Sequence, residues 1–381
     1  MKHPFLALLF ILISSIAFSQ SDDNDPSLVA LKREWGDNIK WTVGARFMAE
    51  AAFYDNPNLR SGAAISDARL RTSLTYGNYY FYYDANFSNG SFSQKDVYFQ
   101  YGSNEINNIK HNIKVGYFSN IASMSYNTSS FNYRFITRPA AVLAFSTQRH
   151  LGVAYKFKSK HIFFEQGIFS EKPYHRKDDS RGVIASGRFV YKALNTEKTT
   201  LHFGVSARYR KMLDDSVSFR SAASLETRVD ENNGFLNITD DDVESASEGT
   251  FEFLFRINRF FVRGEYILRY VKDRNPFELY SGGYVESGFI ILSNNGENDY
   301  EYNEKASVTG GPSGKHSLEA VARYSYTDLN IGGSAHVGTA GLSYFINKYI
   351  GFMAEYNIAF VKKNGIDDIV NMAQLKVMFS F

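Results

Sequence analysis

Hydrophobic and polar positions alternate one by one through most of the chain, most regularly between residues 65 and 87. On the first leg of this stretch the less polar positions are Ala68, Leu70, Thr72, Leu74 and Tyr76, and the positions between them are Asp67, Arg69, Arg71, Ser73 and Thr75. Gly77 and Asn78 form a short link, and the alternation then resumes with aromatic residues up to Phe87. A period of two with a tight, Gly-containing link predicts a β-hairpin with one aromatic face and one charged face.

The same period of two predicts about sixteen strands in the whole chain. Their ranges are 39–53, 65–76, 79–87, 96–101, 109–118, 151–157, 161–169, 183–192, 201–210, 251–257, 261–270, 284–292, 318–327, 336–345, 350–361 and 371–381. Two segments disturb the count. Residues 217–228 fit either a further strand or part of a loop, and residues 294–315 are long where a short turn is expected. Eighteen strands therefore stand as an alternative.

The links between the predicted strands alternate in length. Those at 157–160, 195–197, 257–259 and 346–348 are short, whereas those at 170–181, 212–249 and 363–370 are longer. Short turns at one end and long loops at the other are typical of a transmembrane antiparallel β-barrel.

One link is exceptional, because the alternation stops between Asn120 and Gln148. We call this segment the third loop. Long irregular segments of this kind are usually either functional or disordered. The apolar run from Ala140 to Phe145 argues against disorder, so we expect the third loop to be functional.

A soluble β-sandwich would also have one apolar and one polar face, so other features must decide between the two folds. The chain holds 33 Phe and 26 Tyr, yet its mean hydropathy is −0.31. Beyond the N-terminal region it has no run of about 20 apolar residues that could form a spanning helix. Insertion into a membrane therefore requires a closed barrel, in which every backbone polar group is paired. The alternation also continues to Phe381, an ending that resembles the insertion signal of bacterial outer-membrane barrels.

The N-terminus predicts export. Lys2 and His3 precede an apolar run from Phe5 to Phe18, and the run ends in small residues that fit a signal-peptidase site after Ser19. We therefore predict a signal peptide at residues 1–19, a lead-in segment at 20–38 and a β-barrel at 39–381. Within the lead-in, residues 28–35 could form a short helix or a plug-like segment. The predicted location is the bacterial outer membrane.

If the aromatic rows face lipid, the charged residues between them face the barrel interior. At sixteen or eighteen strands this interior is too wide for side chains to fill, so we expect a water-filled channel. Rings of Arg or Lys favour anions in such a pore, although Arg and Glu at nearby positions can simply pair across the wall. The predicted lumen residues are Arg46, Arg69, Arg71, Lys110, Lys114, Arg134, Arg138, Arg149, Arg188, Arg208, Arg263 and Arg323. If the third loop folds inward, Arg134, Arg138 and Arg149 form the narrowest and most basic point.

The chain resembles the phosphate-selective porin O and P family of outer-membrane channels. The resemblance lies in short motifs that occur in the family's order: Ser66-Asp67-Ala68-Arg69-Leu70-Arg71, Tyr82-Tyr83-Asp84, Lys95-Asp96-Val97-Tyr98, Val115-Gly116-Tyr117-Phe118, Arg149-His150-Leu151-Gly152-Val153, Gly283-Tyr284-Val285-Glu286 and Glu319-Ala320-Val321-Ala322-Arg323-Tyr324-Ser325. It implies a sixteen-stranded trimeric channel with an inward-folded third loop, through which basic residues draw small anions such as phosphate or polyphosphate. Arg69, Arg71 and Arg323 match the family pattern. The family usually continues after Phe118 with a basic residue and Pro-Phe, whereas this chain has Ser119-Asn120-Ile121-Ala122.

Other functional classes have little support in the sequence. The serine-hydrolase, zinc-protease and CxxC motifs are missing, and the chain has no cysteine. Residues 310–316 lack the spacing of a phosphate-binding P-loop and fit a flexible turn. The acidic run from Asp240 to Asp242 fits a solvated loop better than a Ca²⁺ site. A net charge of +2 gives no indication of nucleic-acid binding. We therefore predict a channel without cofactor, metal or catalytic residues. The alternative is a barrel without an open pore that acts as an esterase or phospholipase or has a binding or structural role.

Overall fold

The fold is taken from a computed structural model. It describes residues 31–35, 39–103, 109–145, 149–171, 181–214, 217–230, 235–273, 278–293, 300–303, 305–310, 316–347 and 349–381. The predicted signal peptide and most of the lead-in segment lie outside these residues. None of the helices within these ranges is long and apolar enough to cross a membrane.

The chain folds into a closed barrel of sixteen antiparallel strands, as the alternation predicts. The strands, numbered in chain order together with shorter ones, are β2 (Ile39–Tyr54), β3 (Gly62–Tyr76), β4 (Tyr79–Asn86), β5 (Ser93–Gly102), β6 (Lys110–Ser119), β7 (Arg149–Lys158), β8 (Ile162–Ser170), β9 (Gly182–Asn195), β10 (Thr199–Met212), β13 (Ser245–Ile257), β14 (Phe260–Lys272), β15 (Glu278–Leu292), β18 (Ser317–Asp328), β19 (Ser334–Phe345), β20 (Ile350–Lys363) and β21 (Ile366–Ser380). Each pairs with its neighbours along the chain. The end of the barrel that carries the third loop is called the loop end, and the opposite end is called the turn end.

The predicted orientation of the two faces is confirmed. On β2, Trp41 and Phe47 point outward and are 39% and 42% exposed, whereas Arg46 and Glu50 point inward and are each 3% exposed. The other strands repeat this arrangement, with aromatic and aliphatic side chains outside and most charged ones inside. A sheet can place apolar side chains in lipid only if its edges are closed, because an open edge would leave backbone groups unpaired.

Pairing between the first and last long strands closes the barrel. In this register Phe47 lies opposite Phe379, and Glu50 lies opposite Lys376. The backbones of Ala45 and Phe381 exchange two hydrogen bonds of 2.9 Å. The terminal alternation therefore belongs to the seam of the barrel.

The described part of the lead-in is a strand. β1 (Leu31–Trp35) pairs antiparallel with the first residues of β2, and Trp35 stacks on Trp41 with ring centroids 6.2 Å apart. The helical alternative is therefore wrong for residues 31–35. β1 occupies the part of β2 that extends beyond the C-terminal end of β21 and therefore lies on the same side of β2 as β21.

Three expectations about the links are resolved by the structure. Within residues 217–228, β11 (Phe219–Ala223) pairs only with β12 (Leu236–Asp240), so this segment belongs to a loop and the eighteen-strand alternative is wrong. Between β15 and β18, β16 (Tyr300–Tyr302) pairs with β17 (Val308–Gly310) in a separate hairpin. The expected long loop at 363–370 is wrong, because β21 already begins at Ile366.

Much of the interior is packed rather than open. The third loop contains two short helices, α1 (Met124–Asn127) and α2 (Ala140–Phe145). Near the loop end, α2 and the segment between β10 and β13, called the fifth loop, form an apolar core with inward-facing residues such as Ile267, Val271 and Val337. Near the turn end, Tyr300 and Val308 pack among Leu254, Phe261 and Ile290. The long links thus fill the barrel on the side of β9 to β21.

Candidate functional site

A cavity of about 1170 Å³ remains inside the barrel. Its wall consists mainly of inward-facing residues of β2 to β7. Residues 126–130, Asn132 and Arg138 of the third loop close one side, and residues 301–303 and Lys305 of the segment between β15 and β18 contribute another. We call that segment (residues 293–316) the sixth turn. The cavity is therefore bounded by one link from each end of the barrel.

Positive charges outnumber negative charges on the cavity lining. Among the described residues the basic members are Lys32, Lys40, Arg46, Arg69, Arg71, Lys110, Lys114, Arg138, Arg149, Lys156, Arg188, Arg228 and Lys305, and the acidic members are Asp84, Asp96, Glu165 and Glu301. An anion inside the cavity is therefore surrounded by more cationic than anionic groups.

Eight of the twelve predicted lumen residues line this cavity. They are Arg46, Arg69, Arg71, Lys110, Lys114, Arg138, Arg149 and Arg188. Several are held by carboxylates: Asp67 lies 2.6 Å from Arg46 and 2.5 Å from Arg69, and Asp96 lies 2.6 Å from Arg149. These pairs fix the positions of the guanidinium groups along the wall and partly neutralise them.

Three cavity residues differ from these pairs. Within the described ranges Arg71, Lys114 and Arg138 have no carboxylate oxygen within 4.0 Å. Arg71 donates to the Ser380 hydroxyl at 3.1 Å, and the ammonium of Lys114 lies 4.8 Å from the ring centroids of both Tyr98 and Phe118. Their positive charges are therefore not neutralised by a direct ion pair with a described residue.

The other four predicted residues do not line the cavity. Arg208 lies 2.6 Å from Glu248, Arg263 lies 2.6 Å from Glu286, and Arg134 lies 3.5 Å from Glu319. Arg323 pairs with Glu226. All four are buried, Arg134 within the third loop and the other three beneath the inserted links, and removal of either partner of a pair would leave an uncompensated charge.

Carboxylates of the barrel wall hold the third loop inside. Glu265 accepts hydrogen bonds from the backbone amides of Met124 at 2.7 Å and Ser125 at 3.0 Å, and from the Ser123 hydroxyl at 3.0 Å. Glu355 accepts one from the amide of Ile136 at 2.6 Å. Wall residues that face inward thus bind the backbone of the loop, which fixes its position across the barrel.

Arg138 organises the third loop from within. Its guanidinium donates to the backbone carbonyls of Ser125 at 3.1 Å, Tyr126 at 3.3 Å and Thr128 at 2.6 Å. Burial lowers the pKa of Arg138 to about 10, and the nearby positive charge of Arg228 adds to this shift. The group is still charged at neutral pH, and its charge faces the cavity.

The fifth loop is fastened by Glu226, which is fully buried. Its carboxylate accepts hydrogen bonds from Arg323 and Ser325 of β18 and from the backbone amide of Ala140 at 3.0 Å. Its backbone carbonyl accepts one from Gln374 of β21 at 3.0 Å. Glu226 therefore joins the fifth loop, the third loop and two strands.

The sixth turn meets the third loop in the middle of the barrel. Arg188 donates to the carbonyls of Lys305 at 2.7 Å and Ala306 at 2.8 Å, and it also pairs with Glu252 at 2.7 Å. The hydroxyls of Thr128 and Ser307 lie 2.9 Å apart. The sequence indicates only that this turn is unusually long. Its inward course could be anticipated from apolar residues such as Val308, which have no place on a solvated turn.

The acidic residues near 240 have separate partners. Asp240 accepts a hydrogen bond from Tyr280 at 2.5 Å, Asp241 accepts one from Ser218 at 2.7 Å, and Glu244 pairs with Lys272 at 2.7 Å. In the part of the chain that the structure covers, no three acidic or histidine side chains come together as a metal site. Most of residues 310–316 lie outside that part.

Comparisons with known proteins agree with this architecture. A structure search finds OmpT of Vibrio cholerae in a trimer form, with 12% identity, coverage of 91% of this chain and 100% of OmpT, and a TM-score of 0.59. It also finds an anion-selective porin from Comamonas acidovorans, with 12% identity, coverage of 90% and 100%, and a TM-score of 0.58. At such identity the likeness concerns the fold. A search of curated protein sequences finds no match.

The family comparison covers nearly the whole barrel. A profile described as phosphate-selective porin O and P matches residues 42–381. This range includes all sixteen barrel strands except the first three residues of β2. The chain therefore belongs to the phosphate-selective porin O and P family and is a porin of the bacterial outer membrane.

Proposed function

We propose that this porin lets small anions diffuse passively across the outer membrane through the cavity beside β2 to β7. The observation that carries the proposal is the lining of the cavity, which contains thirteen basic and four acidic residues in the described ranges. Lumen cations raise the local concentration of anions and lower the energy of an anion that has lost part of its water. The family description makes phosphate a candidate solute, with polyphosphate as a longer one.

The third loop is the proposed constriction, and Arg138 is its proposed selectivity residue. Arg138 is the one arginine among Arg134, Arg138 and Arg149 that both belongs to the described third loop and lines the cavity. Arg134 is 2% exposed and is paired with Glu319. A charge at the cavity surface acts on a passing ion through water and a low-dielectric wall, whereas a closely paired charge is largely cancelled by its partner.

The chain is further proposed to work as a homotrimer, with membrane lipid around the assembly. Support comes from the OmpT relative that is described as a trimer form. The signal peptide at residues 1–19 remains a prediction of the sequence.

Conductance of the purified full-length protein in planar bilayers tests this function. Stepwise conductance with a reversal potential biased towards anions in a salt gradient is expected, and Arg138→Ala should reduce the bias. The matched control is the double variant Arg134→Gln with Glu319→Gln, which removes one buried pair without changing the net charge and should keep the bias. A cation-selective or unselective pore would contradict the proposal. A protein without conductance that hydrolyses lipid would favour the enzymatic alternative.

A further inference from the structure

The inner face of one hairpin carries a continuous row of aromatic rings. Tyr80 and Tyr82 on β4 and Tyr98 on β5 line the cavity, and we call these three residues the tyrosine wall. Ring centroids are 6.2 Å apart for Tyr80 and Tyr82, 5.3 Å for Tyr82 and Tyr98, and 6.1 Å for Tyr80 and Tyr98. Stacked and tilted contacts at these distances are the favoured geometries of aromatic pairs.

Contact with lipid does not explain these three rings. The same hairpin already presents Phe81 and Phe99 on its outer face, where they are 40% and 48% exposed. The three tyrosines occupy inward-facing positions of their strands, and on other strands such positions carry charged residues such as Arg46 and Arg188. Its members are partly exposed to the cavity and are not buried beneath an inserted link.

A cation stands beside the tyrosine wall. On β6, the ammonium of Lys114 lies 4.8 Å from the centroid of Tyr98. On β3, Arg71 also points inward, but its guanidinium reaches across β2 to the Ser380 hydroxyl of β21 at 3.1 Å and so lies on the side away from β4. Lys114 lines the cavity and has no carboxylate oxygen within 4.0 Å among the described residues.

These two features suit a ligand that has both a negative charge and a flat ring. An inorganic anion can use only the cation, and a neutral aromatic molecule can use only the rings. We propose that the cavity contains a binding site for aromatic carboxylates, with the ring lying on the tyrosine wall and the carboxylate bound by Lys114. The site deepens the proposed function and rests on it, because the ligand must enter the lumen.

Block of the chloride current in planar bilayers can measure this site. Benzoate is compared with cyclohexanecarboxylate, which has the same charge and a similar size but no aromatic ring. Because an aromatic contact is worth roughly 0.5–1.5 kcal/mol beyond burial, benzoate should reach half-block at a concentration about two- to tenfold lower. A purely hydrophobic site would favour the more apolar cyclohexane ring, so the sign of the difference is informative.

Variants of the inner and outer faces locate the effect. Tyr98→Leu should abolish the preference for benzoate, whereas Tyr98→Phe keeps the ring and should retain it. Phe81→Leu on the outer face of the same hairpin is the matched control and should leave the preference unchanged. Correct insertion of each variant is judged from its chloride conductance.

Three results would overturn the site. They are equal block by the two carboxylates, a benzoate preference that survives Tyr98→Leu, and stronger block by glucose 6-phosphate than by benzoate at equal concentration, which would indicate a sugar-phosphate site. Failure of the site and failure of the proposed function remain distinguishable. A pore with anion bias but no preference for benzoate removes only the site, whereas a pore without anion bias removes the function beneath it.

Discussion

Replacing Glu226 by Ala should release the fifth loop from the barrel interior while leaving the barrel intact. The carboxylate of Glu226 is fully buried and binds the guanidinium of Arg323, which is also fully buried. After the replacement Arg323 would retain the carbonyl of Thr137 at 2.9 Å, the hydroxyl of Tyr133 at 3.4 Å and a more distant carboxylate, Glu286, at 3.8 Å. None of these contacts replaces a direct ion pair.

The expected size of the effect follows from this burial. Removing one partner of a buried, hydrogen-bonded ion pair costs about 3–5 kcal/mol, because the remaining charge stays desolvated. The amide of Ala140 would lose an acceptor as well, since it donates to Glu226 at 3.0 Å. A loss of about 3 kcal/mol lowers the ratio of docked to undocked loop by roughly a hundredfold. The strand ladder would be unaffected, because Glu226 belongs to a loop.

Limited proteolysis with trypsin measures the docking directly. Arg220 and Arg228 in the fifth loop are potential cleavage sites, and cleavage should accelerate by about two orders of magnitude if it follows the open population. Glu226→Gln retains hydrogen-bond acceptors and should have a smaller effect. Glu244→Ala is the control, because Glu244 lies in the same loop but forms an exposed pair with Lys272. Unchanged cleavage in Glu226→Ala, with native barrel mobility in unheated gels, would refute the role of Glu226.

Two further predictions concern charge and closure. The anion preference of the pore should fall as the pH rises through about 10, because the lowered pKa of Arg138 makes this residue lose its charge there. Reversal potentials measured at several pH values should show a smaller fall in Arg138→Ala than in the wild type. Equal falls in the two proteins would contradict the assignment. Deletion of Phe381 should lower the temperature at which the folded barrel converts to the unfolded band in gels, because it removes the two backbone hydrogen bonds to Ala45. An unchanged transition temperature would count against the closure of the barrel between β2 and β21.

Much of the barrel could be predicted because its main determinant is local. In β2, successive residues from Trp41 to Glu50 face lipid and interior in turn, and this alternation is visible in the sequence without knowledge of any partner strand. The predicted strand boundaries are wrong where both faces of a strand are polar, or where a strand begins before its apolar residues. β21, for example, begins with Ile366 and two aspartates, which the pattern assigned to a loop.

The candidate site was predictable in part. Inward orientation of Arg46 and Arg71 follows from alternation, and both line the cavity. Alternation does not distinguish them from Arg263 and Arg323, which also point inward but lie beneath the inserted links. Whether an inward arginine meets water or a loop depends on which link covers it.

The sequence by itself indicated a closed barrel of about sixteen strands and the inward position of its charges, because a period of two and a short turn are properties of neighbouring residues. The structure was needed to exclude eighteen strands, since β11 pairs with β12 in a loop. Only the tertiary structure decided which charges are paired and where the open space lies. Arg323 finds Glu226 across 97 positions of chain, and Thr128 meets Ser307 across 179. Such contacts depend on strand register and on the docking of links from opposite ends, and both are fixed only when the whole barrel is packed.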